Sequence, residues 1–164
     1  MAEERSLMDD MRDDGYRFAH DLISEVIKRR GIDVPYVNFP NPKNFLFTSA
    51  HKRLIQDFLA ENGEHIENLV MDYAKRSKDP DYKYSDFNYF ENRFKVITEF
   101  KPEPYTEEGF VKLCAAIAQV GACNYIRNKK CDALIHAMDD VHKFVKKVLS
   151  RGTLKDSSLA DDQV

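Results

Sequence analysis

The run 113–126 (Leu-Cys-Ala-Ala-Ile-Ala-Gln-Val-Gly-Ala-Cys-Asn-Tyr-Ile) contains no charged residue, and this constrains the fold more than any other feature. On a helix it is apolar around most of its circumference, so other helices must enclose it. The run falls short of the roughly 20 residues that a membrane span needs and suits a buried core helix. Extended to its polar flanks, it predicts a central helix over about 106–127 whose least polar positions include Phe110, Leu113, Ile117, Val120 and Gly121.

The surrounding pattern is helical and never alternating. All six prolines fall in three short zones: 31–47, 76–83 and 101–105. Proline is excluded from helix interiors, so these zones read as connectors. A first helix is predicted over about 13–30, on the stripe Tyr16, Ala19, Ile23, Val26 and Ile27, with Phe18 and Leu22 beside it and Gly31 as its stop. A second starts near Thr48 or Ser49 and runs to about Tyr73. Gly63 interrupts it and marks either a break or a close approach, because a mid-helix glycine costs about 1 kcal/mol against alanine. A third covers about 85–100, on Phe87, Phe90, Phe94, Ile97 and Phe100, with Ser85 as its cap. A last helix covers about 129–151, on Cys131, Leu134, Ile135, Met138, Val141, Val145, Val148 and Leu149, with Gly152 as a stop. The expected architecture is an all-α helical bundle in which amphipathic helices wrap the central hydrophobic helix about 106–127. A single domain over 1–152 and a disordered polar tail over 153–164 complete the reading.

Composition excludes several function classes. The chain of 164 residues has a net charge of -3, which offers no basic excess to neutralise nucleic-acid phosphates. Three cysteines without a Cys-x-x-Cys pair fit free thiols in a reducing compartment. The charged N-terminus shows no secretory signal. The five histidines are scattered; His136 and Asp140 lie one turn apart, a spacing commoner on a solvated helical face than at a metal. The acidic stretch from Asp79 fails as a calcium loop because Tyr84 and Phe90 occupy the positions that need glycine and glutamate. No Gly-rich phosphate loop occurs. No enzyme, cofactor or metal is expected.

The informative constellation lies in Ile55-Gln56-Asp57-Phe58-Leu59-Ala60-Glu61-Asn62-Gly63-Glu64-His65-Ile66. Ile55, Leu59, Asn62 and Ile66 share one helical face, Gly63 adjoins it and Glu64 follows. The pattern Leu-x-x-x-Gly-Glu resembles the third homology motif of the B-cell lymphoma-two (Bcl) family of apoptosis regulators, Leu-x-x-x-Gly-Asp. Residues 106–126, with Gly109-Phe110 at their start and Gly121-Ala122-Cys123 further on, resemble that family's central helix. Residues 90–100 and 129–151 resemble its fourth and sixth helices, and 15–31 its first. The resemblance spans about 13–152 and rests on order and spacing more than on any one motif.

The resemblance implies a hydrophobic groove that receives an amphipathic helix at anchors spaced i, i+4, i+7 and i+11. By carry-over, Ile66, Val70 and Tyr73 form one wall, Phe94 and Ile97 another, and Gly109, Phe110, Leu113 and Ile117 the floor. The implied partners are the amphipathic death-motif helices of pro-apoptotic Bcl-family proteins (Bim-, Bak- or Bax-like). A homodimer that occludes the groove is the competing assembly. The family's Asn-Trp-Gly-Arg is replaced by Glu107-Glu108-Gly109-Phe110, so the arginine that clasps the partner's acid is missing. Arg93 and Lys112 are the cations offered in its place, Glu107 would repel the acid, and Phe110→Arg would broaden ligand choice. The small size and the polar stretch 155–164, where the family carries a membrane anchor, resemble viral members of the survival-promoting type. Such a protein acts in the cytoplasm or at the mitochondrial periphery. A pore-forming effector and a helical interaction protein with a filled groove are the alternatives.

Overall fold

The computed structural model describes residues 14–31, 47–80 and 83–150. Among them five helices occur and no strand: α1 (Asp14–Lys28), α2 (Ser49–Arg76), α3 (Asp86–Phe100), α4 (Glu107–Arg127) and α5 (Ala133–Ser150). The chain is therefore an all-α bundle. The predicted tail and most of the first proline zone lie outside the described residues.

Local chemistry explains the helix ends. The Gly31 N–H donates to Lys28 O at 3.0 Å, and Gly31 has a φ of 72°, a left-handed value that closes α1 where glycine was predicted to stop it. Thr48 caps α2, and its Oγ1 accepts from the His51 N–H. Ser85 caps α3 in the same way through Phe87, and Thr106 caps α4 through Gly109 at 2.9 Å.

Every residue of α4 from Leu113 to Asn124 is buried. α1, α2, α3 and α5 all pack on α4, and α1 also packs on α5. At 21 residues, α4 is long and apolar enough to cross a membrane, but 78% of that apolar window is buried inside the bundle. Its apolarity is accounted for by enclosure. α1 contributes Phe18, Leu22, Ile23, Val26 and Ile27 to the shared core.

Three sequence expectations change. First, α2 runs unbroken through Gly63. A Cβ added there would meet nothing closer than Gln119 Nε2, at 3.6 Å, so the glycine marks neither a break nor a forced approach. Asn62 is only half-buried and donates back to Phe58 O at 3.2 Å. Gly63 takes its place on the inward face with Ile55, Leu59 and Ile66. Second, α5 begins at Ala133 rather than near 129. Asn128 Oδ1 accepts from the Lys130 N–H, and Asn128 O from the Cys131 N–H. These bonds form a turn that removes Cys131 from the helical stripe. Third, α3 is rotated away from its predicted face. Asn88, Tyr89, Asn92 and Val96 point inward, while Phe87, Phe90 and Phe94 are exposed at 58%, 37% and 65%.

α4 and α5 approach closely at Gly121. A Cβ on Gly121 would lie 2.9 Å from Ala137 Cβ and 3.0 Å from the Ala133 carbonyl oxygen. Gly→Ala should therefore have opposite signs at two helical positions. Gly63→Ala should stabilise the bundle by roughly 0.5–1 kcal/mol through helix propensity. Gly121→Ala should destabilise it by about 1–3 kcal/mol, because the α5 backbone must move. Urea unfolding of the two variants checks both signs.

Candidate functional site

The predicted groove residues separate into two sets. Ile66, Val70 and Ile117 are fully buried, and Phe110 and Leu113 nearly so. Gly109 is half-buried, and a Cβ there would lie 2.7 Å from Pro102 Cβ. These positions form core and form no open floor. Tyr73 and Ile97 are half-buried, and Phe94 is exposed. An arginine at 110 would be a buried charge, so Phe110→Arg is expected to damage the fold before it alters ligand choice.

A cleft of about 480 Å³ lies between the C-terminal end of α2 and the middle of α3. Tyr73, Arg76, Ser77, Glu91 and Lys95 line it. Tyr73 is the one member of the predicted set in that lining. The Arg76 guanidinium carbon lies 6.0 Å from the Tyr73 ring centroid. Sequence reasoning named neither Arg76 nor Lys95. The signal available was the basic last turn of α2 and the one-turn spacing of Glu91 and Lys95.

Polar contacts set the rotation of α3 beside this cleft. Asn88 Nδ2 donates to Val70 O at 3.1 Å and to Lys83 O. Tyr89 OH donates to Asp140 Oδ2 at 2.6 Å, and Arg93 Nη1 donates to the same oxygen at 3.1 Å. Burial first, and then the charge of Asp140, push the Tyr89 hydroxyl well above the ordinary tyrosine range, so it stays a donor. Arg93 also lies 5.2 Å from the Phe90 ring centroid. Arg93 is thus committed to α5, and Lys112 is paired with Glu108 on its own helix at 3.1 Å. At the cleft, Arg76 and Lys95 form no ion pair among the described residues.

Glu107 is also placed differently from expectation. Its carboxylate is buried, and Oε2 lies 3.1 Å from His51 Nε2. The Thr48 N–H donates to His51 Nδ1 at 3.0 Å, so that nitrogen carries no proton. Nε2 must then be the protonated nitrogen, and it donates to Glu107. One imidazole thereby caps α2 and holds the first turn of α4, where the helix dipole also favours a carboxylate. Glu107 is turned inward and is not at a ligand surface. Removing the imidazole should cost both the cap and the partner of a buried carboxylate. His51→Ala is expected to lose about 2–4 kcal/mol, read by chemical denaturation.

Other candidate groups are engaged elsewhere. Asp140, paired with His136 by sequence spacing, faces Tyr89 and Arg93 instead. The donor atoms of Asp86, Asp132 and His136 lie within 4.8 Å of one another, with Asp86 Oδ1 accepting the Asp132 N–H at 2.9 Å. That carboxylate serves the exposed start of α5. Cys114 and Cys123 are buried. Burial pushes both thiols up, Cys123 to about 12, which leaves no reactive thiolate.

Within α2, Glu67 ties the helix to the residues that end α1 and α4. It accepts from Arg30 Nη1 and Nη2 at 3.2 and 3.3 Å and from Arg127 Nη2 at 3.2 Å. The hydrogen bond from Arg30 holds its carboxyl below the usual range, against opposition from burial and with help from Arg127. A depressed carboxyl adds stability that is complete above its unfolded value, near 4.5, and is lost as pH falls through the folded value. Glu67→Gln should cost about 1 kcal/mol at neutral pH. That difference should shrink toward zero in urea unfolding carried out well below pH ~4.

No protein-family model, no curated protein and no solved structure matches the chain.

Proposed function

We propose that the chain is a survival-promoting, Bcl-like inhibitor of apoptosis that sequesters amphipathic death-motif helices on the surface between α2 and α3. The observation that carries this reading is the aromatic ridge of α3, Phe87, Phe90 and Phe94, which is turned outward at i, i+3 and i+7. A ridge with that spacing matches the apolar stripe of a partner helix. The cleft beside it carries Tyr73, Arg76 and Lys95, so an acidic residue on the partner can be met by cations other than the family's arginine.

The inner face of α3 supports the same reading. Asn88 bonds α2 and Tyr89 bonds α5, while Val96 is fully buried and Ile97 and Phe100 pack partly buried against the core. The fully buried apolar side chains of α3, Tyr89 and Val96, are fewer than those of α1 or α5, so it has less apolar area to lose on moving. Displacing α3 from α2 would expose Val70 and Ile66 as anchor sites, each contributing roughly 1.5–3 kcal/mol to a partner that covers it. Such opening would add these anchors to those of the exposed ridge. A virus-encoded decoy acting in the cytoplasm or at the mitochondrial periphery fits this role.

A second reading, a pore-forming effector of the same fold, draws on the length and apolar composition of α4. It requires the bundle to release its most buried helix.

Calorimetric titration against a panel of death-motif peptides separates the two. At least one peptide is expected to bind at micromolar or lower concentration, and Phe94→Glu, an exposed change that should leave the fold intact, is expected to weaken it about tenfold or more. Absence of binding by every peptide at high micromolar concentration rejects sequestration. Dye release from liposomes on activation would favour the effector.

A further inference from the structure

The residues of the Leu-x-x-x-Gly-Glu motif do not face the α2–α3 cleft. Leu59, Gly63 and Glu64 line a different cleft of about 640 Å³, bounded by the end of α1, the middle of α2 and the C-terminal half of α4. Gln119 lines it from α4 and is only 5% exposed. Its carboxamide makes no hydrogen bond among the described residues, and its polar atoms open onto the cleft rather than being shut off from it. Gly63 adjoins it: the nearest atom to a Cβ there would be Gln119 Nε2, at 3.6 Å.

The rest of the lining has a definite chemistry. Arg30 is held by Glu67 through both guanidinium nitrogens, and Arg127 shares that carboxylate. The charge of Glu67 is therefore already matched. Arg29 and Lys129 are exposed at the mouth, and no ion pair among the described residues holds either. Glu64 is the opposing carboxylate, and with two free cations the balance favours an anion. Tyr125 and Ile126 add an apolar wall. The volume lies in the ordinary range for small-molecule sites.

We propose that this cleft binds a small organic anion with a planar donor–acceptor edge, of the nucleoside-phosphate class. The Gln119 carboxamide bonds the base edge, as glutamine does with adenine, while Arg29 and Lys129 hold the phosphate. The site is separate from the α2–α3 cleft, and its occupancy does not depend on helix capture.

The test titrates the full chain with AMP and, separately, with inorganic phosphate. AMP is expected to bind with a Kd below about 1 mM. Gln119→Leu should weaken AMP about tenfold while leaving phosphate binding unchanged. Arg29→Glu with Lys129→Glu should weaken both. In the unsubstituted chain the Gln119 side-chain amide resonances should shift on adding AMP, which tests the contact without relying on a core variant. No binding at about 5 mM AMP, or unmoved Gln119 resonances, overturns the proposal.

Discussion

A helix that is apolar on nearly every side has to be enclosed, and the other helices of this bundle take their places from that requirement. α4 is covered by α1, α2, α3 and α5, and its residues from Leu113 to Asn124 are shut from solvent. One close part of that enclosure is the seat of Gly121 against Ala133 and Ala137. Small side chains there let two backbones approach, and dense packing leaves little room for change. Enclosure is non-directional, however. It demands cover for α4 but does not fix how each covering helix is rotated.

Buried or half-buried polar groups settle those rotations. His51 ties the start of α2 to Glu107 at the start of α4, with its tautomer set by the Thr48 N–H. Asn88 and Tyr89 fix α3 against α2 and α5. Glu67 gathers the ends of α1 and α4. Each contact is directional and selects one arrangement among several that would cover the apolar core equally well. The outward aromatic ridge of α3, on which the proposed capture of partner helices rests, follows from this polar selection.

The number and order of the helices, and their caps at Thr48 and Ser85 and stop at Gly31, were legible because they depend on local chemistry: side-chain oxygens near free N–H groups and a left-handed glycine. The central helix was legible from its uncharged run. The site was less so. Phe110, Leu113 and Ile117 read as groove residues by resemblance, yet the same apolar spacing serves a buried face. Arg93 and Lys112 read as free cations because sequence spacing does not reveal that Asp140 and Glu108 hold them. Arg76, Lys95 and Gln119 carried no motif at all.

By itself the sequence determined that α4 must be surrounded and that amphipathic helices would surround it, because hydrophobic burial follows from periodicity along the chain. Only the tertiary structure decided which face of α3 turns inward, where Glu107 finds its partner and which cleft the Gly63 motif lines. Those outcomes depend on hydrogen bonds and ion pairs between residues far apart in sequence, and their geometry exists only once the helices have packed.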